Sequence, residues 1–185
     1  CACTIGLANL EPEHLAMLAN AMSKHEYTDA QRPDVVNFLA ASAEHACKIG
    51  LAKFAPQGLA MLAHAMSKYE YTEAQRPHVA KFLVASAEHA YKIEVAKCVP
   101  QGLAMLANAM SKHEYTVDQC PHVVNFLAAS AKHACTIGLA KFDPQGLAML
   151  ANAMSKYQYT VDQHPHVAKF LVATAEHACK PTGSA

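Results

Sequence analysis

What this sequence lacks narrows what it can be. No stretch of about 20 apolar residues runs without charge, so no membrane-spanning helix is expected. No charge of one sign prevails, because 15 basic and 15 acidic side chains cancel to a formal net charge of zero. Nucleic-acid binders carry a basic footprint, since phosphate contacts dominate their affinity. Neutrality therefore argues against RNA or DNA as the ligand, while leaving room for a basic stripe on one face. Signatures of catalysis are missing too: no nucleophile motif, phosphate loop or paired carboxylates can be found. Ser23, Ser67, Ser111 and Ser155 recur beside lysine with no glycine elbow around them. They read as helix-terminal hydroxyls bonding to nearby backbone. An enzyme is not expected, and no cofactor is. The opening Cys-Ala-Cys-Thr-Ile-Gly has neither a basic region nor a long apolar stretch, so no secretory leader is expected.

Cysteine and histidine are present in quantity and invite two further readings. Of the seven cysteines, Cys3, Cys47, Cys135 and Cys179 hold the same place in successive 44-residue segments, with Tyr91 at the intervening place. Equivalent residues on packed helices lie about 8–10 Å apart, whereas a disulfide needs Cα atoms within about 7 Å. Free, buried thiols in a reducing compartment are expected. The twelve histidines include two ladders, His45, His89, His133, His177 and His78, His122, His166. Cys120-Pro-His122 and His164-Pro-His166 also stand at the same place in adjacent segments. Zinc requires three or four ligands converging at about 2.0–2.3 Å. Side chains two apart across a proline diverge, so these are expected to be surface polar residues, and no metal site is assigned.

The dominant feature is repetition. Pro12, Pro56, Pro100 and Pro144 recur every 44 residues, as do Pro33, Pro77, Pro121 and Pro165. Aligned from Ala8, Ala52, Ala96 and Ala140, the four segments carry one residue throughout at more than half of their columns. Each unit reads as helix, turn, helix. In the second, Pro56 opens a helix expected to run to about Tyr69. Leu59, Leu62, Ala63 and Met66 follow the i, i+3, i+4, i+7 spacing of one buried stripe. Gln57, Met61, His64 and Lys68 fall on the opposite side. The residue before a proline is pushed out of the α region, which puts the break at Arg76 and the second helix from Pro77 to about Ile93. Val79, Leu83, Ala87 and Ala90 form its apolar face, with Phe82 on the flank. The first helices are apolar nearly all round and should be the more enclosed; the amphipathic second helices should form an outer layer.

The expected fold is all-α, an α-solenoid of four 44-residue helix-turn-helix, HEAT/armadillo-like repeats. Its boundaries are residues 1–11 for the tail of a preceding repeat and its connector, then 12–55, 56–99, 100–143 and 144–180 for the repeats. Residues 181–185 form a non-repeat tail. Neither end carries an obvious polar cap, so a longer protein is expected. Units also alternate: His25, Tyr69, His113 and Tyr157 follow one pattern, and Asn37, Lys81, Asn125 and Lys169 follow it too. A duplicated pair with an 88-residue period explains both.

The first-helix stripe is the candidate site. Along the array it reads Met17, Met61, Met105, Met149; then Asn20, His64, Asn108, Asn152; then Lys24, Lys68, Lys112, Lys156. Amides and lysines on a helical face are tools of modular RNA readers, and methionines suit an adaptable protein interface.

The stretch Phe142-Asp-Pro-Gln-Gly-Leu-Ala-Met-Leu-Ala-Asn-Ala-Met-Ser-Lys156 resembles the SKWP repeats of type III secreted effectors from plant-pathogenic bacteria. The resemblance covers the first helix of all four units, although His-Glu-Tyr, Tyr-Glu-Tyr or, after Lys156, Tyr-Gln-Tyr follows Ser-Lys where Trp-Pro would stand. It implies a non-enzymatic scaffold that binds protein partners, either in the cytosol or delivered into a host plant cell. The same stretch is similar to the Pro-Gln-x-Leu-Ala segment of octotricopeptide and heptatricopeptide repeats, which implies RNA as the alternative partner.

Overall fold

The structure, a computed structural model, describes residues 6–7, 9–93, 95–115, 119–157, 159, 162 and 164–179. Among these there are eight α-helices and no strand. The first helices of the sequence units are α1 (Pro12–Met22), α3 (Pro56–Met66), α5 (Pro100–Met110) and α7 (Pro144–Ser155). The second helices are α2 (Arg32–Ile49), α4 (Arg76–Lys92), α6 (Cys120–Ile137) and α8 (Pro165–Cys179). A short 3₁₀ turn precedes each of α3, α5 and α7. No described helix is long and apolar enough to cross a membrane.

Helices pack in series. α1 lies against α3, α3 against α5 and α5 against α7; α2, α4, α6 and α8 do the same among themselves. Contacts between the two helices of one unit are sparser, so the chain forms two layers joined along a seam. The buried stripe Leu59, Leu62, Ala63 and Met66 lies in the core together with Ala60 and Ala65. Alanine at so many positions lets neighbouring first helices approach closely. Phe82 is fully buried, not on a flank, because α4 packs against the preceding second helix, α2; Phe38, with no described second helix before it, is half-buried. Its counterparts Phe126 and Phe170 are equally enclosed. Burying a side chain of this size contributes about 1.5–3 kcal/mol, so the second layer is as much core as the first.

Local signals set the helix ends, with two departures from expectation. The first helices begin at proline as expected but stop earlier: α3 ends at Met66, and Ser67 and Lys68 form a turn. Each serine hydroxyl closes that turn by donating to the carbonyl three residues back, as Ser67 does to His64 at 2.9 Å and Ser111 to Asn108 at 2.8 Å. The second helices α2, α4 and α6 begin one residue ahead of their prolines. The cause lies upstream in a reciprocal bond pair. Gln75 N–H donates to the Thr72 carbonyl at 3.0 Å, and Thr72 N–H donates to Gln75 Oε1 at 3.1 Å. This turn delivers Arg76 already in helical geometry, which outweighs the proline's effect on it. The cysteines Cys47, Cys98, Cys120, Cys135 and Cys179 are free thiols. Cys98 alone among them is buried; Cys179 is exposed and the others are half-buried, while Cys3 lies outside the described residues.

Candidate functional site

A groove crosses all four first helices. It enters at Asn20 and Lys24 near the end of α1, passes Gln57, Met61 and His64 on α3, and continues along Gln101 and Met105 on α5. It leaves by Asp143, Gln145 and Met149 at the start of α7. Gln57 with Met61, Gln101 with Met105 and Gln145 with Met149 are each four residues apart. That spacing stacks amide and thioether on one face of each helix. Serial packing of α3, α5 and α7 then aligns the pairs into two rails. The groove is open and encloses about 270 Å³, below the about 300–1,000 Å³ usual for enclosed small-molecule pockets. Its shape suits an extended segment lying across the helices.

Six of the twelve positions singled out from the sequence line this groove: Asn20, Lys24, Met61, His64, Met105 and Met149. The others do not. Met17 is 56% exposed on α1, Asn108 is half-buried on α5, and Asn152 and Lys156 are exposed near the end of α7. Lys68 and Lys112 have a different occupation. Lys68 Nζ donates to the Ser23 carbonyl at 3.0 Å, and Lys112 Nζ donates to the Ser67 carbonyl at 3.4 Å. Each ammonium reaches back one unit to the C-terminal end of the preceding first helix, where unpaired carbonyls and the helix dipole favour a cation. These lysines tie units together. The glutamines were the positions the stripe omitted, although Gln57 had fallen on the polar side of its helix; the signal was there.

His64 is the one aromatic group in the groove. Its Nδ1 is buried with no hydrogen-bond partner. Burial holds its pKa below the ordinary histidine value, and the nearby Lys68 and Lys112 charges press the same way. The ring is therefore neutral at neutral pH and offers the groove an acceptor and a donor rather than a charge.

Larger clefts open along the edge where each unit meets the next. Between the first and second units, Ser23, His25, Tyr27, Arg32, Lys68 and Tyr69 line one of about 720 Å³. Between the second and third, Tyr71, Arg76, Lys112, His113 and Glu114 line one of about 580 Å³. Their walls differ where the units alternate: His25, Val36 and Tyr69 in the first stand where Tyr69, Ala80 and His113 stand in the second. The Tyr69 hydroxyl donates to the Met22 carbonyl at 3.4 Å, and Tyr157 does the same to Met110 at 3.3 Å. His113 stands in that place at the middle joint, its Nε2 buried and unpartnered. Tyr71, from the preceding unit, takes the Met66 carbonyl instead at 3.0 Å.

Among the described residues, no group of three or more His, Cys, Asp or Glu side chains gathers as metal ligands would. On the second layer Glu44 pairs with Lys48 at 2.8 Å and Glu88 with Lys92 at 2.6 Å. Comparison with models of protein families, with curated proteins and with solved structures finds no match to this chain.

Proposed function

We propose that this chain is an α-solenoid of four 44-residue, HEAT/armadillo-like repeats, and a non-enzymatic scaffold that grips an extended protein segment in the first-helix groove. The observation that carries the reading is the pair of rails crossing three helices, α3, α5 and α7. Glutamine and asparagine amides both donate and accept, which matches a peptide backbone in extended form. Methionines beside them adapt to varied side chains. The disposition of the lysines supports protein over RNA: Lys68 and Lys112 are spent on helix ends, and Lys24 is the groove's lysine. The resemblance of the first helices to SKWP repeats extends the proposal to the repeat region of a bacterial effector working through protein partners inside a plant cell.

The test is selection of random displayed peptides on the immobilised protein, with random single-stranded RNA as a parallel arm at two salt concentrations. Peptides that bind the native chain and lose at least tenfold in affinity to Met105→Glu support the reading. RNA binding that falls steeply with salt, with no peptide enriched, would replace it by the RNA reading.

A further inference from the structure

The first-helix groove repeats with a constant step. A Cβ built on Gly58, Gly102 or Gly146 would meet an alanine of the preceding first helix, Ala16, Ala60 or Ala104, at 3.6, 3.6 and 3.5 Å. The three joints are thus equally close, and helices packed in this way lie about 8–10 Å apart. Each of α3, α5 and α7 brings the same two groups to the groove. Gln57, Gln101 and Gln145 are exposed, and Met61, Met105 and Met149, four residues further on, are half-buried. An occupant lying across these helices therefore meets one amide and one thioether at each step of about 8–10 Å.

Resting on the reading of this groove as a peptide site, the step decides which backbone conformation fits it. A β-strand advances about 3.2–3.4 Å per residue and turns alternate side chains to opposite faces. Its like faces therefore recur at about 6.6 Å or 13 Å, out of step with the helices. An α-helix bonds its main chain to itself and leaves the glutamines no backbone partner. A polyproline II segment advances about 3.1 Å per residue with three residues per turn, so one face returns about every 9.3 Å. That is in step. Its main chain makes no internal hydrogen bonds, which leaves carbonyls on every turn for a glutamine Nε2 to donate to. Proline also lacks an N–H, so a proline-rich segment needs donors more than acceptors from its partner. We infer that the groove selects a proline-rich segment in the polyproline II form, one three-residue turn to each repeat. In each turn a glutamine donates to a main-chain carbonyl and a methionine packs on one apolar side chain. About nine residues in this form span roughly 28 Å, enough to cross α3, α5 and α7.

The test is fluorescence anisotropy of the full chain with two labelled peptides of one composition. The first is three successive Pro-Pro-Leu turns; the second, Pro-Pro-Leu-Pro-Leu-Pro-Pro-Pro-Leu, places the same leucines out of step. The first is expected to bind at least tenfold more tightly than the second. Met105→Glu and Gln101→Leu are each expected to weaken the first peptide at least fivefold. Gln101 is exposed, so its replacement leaves the packing alone, and circular dichroism checks that both variants keep their helices. Equal affinity for the two peptides, no binding of the first, or native affinity in either variant overturns the inference. Displayed peptides that bind and are lost with Met105→Glu, yet carry no three-residue spacing, overturn this inference and leave the peptide site standing. Selection of no peptide at all removes both.

Discussion

The joint between the second and third units uses the same surfaces as its two neighbours but different side chains at the points of contact. Entering the second and fourth units, the connector buries Phe54 and Phe142; entering the third, it buries the smaller Cys98. At the outer joints a tyrosine bonds across the boundary, through Tyr69 and Tyr157; at the middle one His113 meets the Tyr71 ring at 6.3 Å and leaves its Nε2 unpaired. The lysine tie is 3.4 Å in the middle and 3.0 Å between the first and second units, while at the last joint the exposed Lys156 makes no such bond among the described residues. Ser42 and Ser130 bond the carbonyl four residues back, while the buried Ser86 hydroxyl on α4 has no partner. α4 also stops at Lys92, where α2 and α6 run on to isoleucine and a left-handed glycine, Gly50 or Gly138. In a stack whose stability is a sum over neighbours, such differences make one joint the weakest. Near-identity of sequence does not give near-identity of energy.

Deleting the connector aromatics should expose the contrast most strongly. Phe54→Ala and Phe142→Ala are each expected to cost about 3–5 kcal/mol in urea unfolding, and Cys98→Ala about 1 kcal/mol or less. Equal losses at all three sites would mean that the joints are equivalent after all. Next in size, Tyr69→Phe and Tyr157→Phe should each lose about 1 kcal/mol with their cross-boundary bond. His113→Phe should cost nothing, or stabilise, because it removes a buried unpaired nitrogen.

Acid should act on the same joint. Burial holds His113 below the ordinary histidine pKa, with Lys112 adding to the effect, and His64 is shifted the same way. The unfolded chain therefore binds protons before the folded one does. Stability is expected to hold above about pH 6.5 and to fall as the pH drops from there toward the folded-state pKa. The loss should be smaller in His113→Phe, read as the slope of the urea midpoint between pH 7 and pH 5.

The smallest effects concern helix starts. Asp143 caps α7 by accepting from Gly146 N–H, whereas Ala55 and Val99 offer α3 and α5 no such bond. Ala55→Asp should add about 1 kcal/mol. Gly58→Ala should add about 0.5–1 kcal/mol, since the new Cβ makes only ordinary contacts. Gly146→Ala should fail to, because its Cβ would lie 2.9 Å from Asp143 Oδ1. Thermal midpoints of the three variants decide this.

Much of the architecture was legible in the sequence, because prolines and the leucine-methionine stripe act within one helix and need only local spacing to be read. The groove was legible by half. Met61, His64, Met105 and Met149 follow from helical phase, and they were found. The role of Lys68 depends on where the end of α1 sits relative to α3, a relation between units that periodicity does not encode. Phe82 was misplaced for the same reason, since a residue at the edge of one helix's stripe becomes core once the preceding second helix packs over it. The reciprocal Thr72–Gln75 turn could have been recognised, but the proline after Arg76 masked it.

The alternation of tyrosine and histidine bears finally on how the gene can change. Recombination between near-identical units can insert or delete either 44 or 88 residues. A two-unit step leaves every boundary with the neighbours it has now. A one-unit step sets like beside like, histidine unit on histidine unit or tyrosine unit on tyrosine unit, and so makes a boundary that the array does not now contain. Selection on folding should therefore tolerate growth and loss of such an array in pairs, and its length should drift in even numbers.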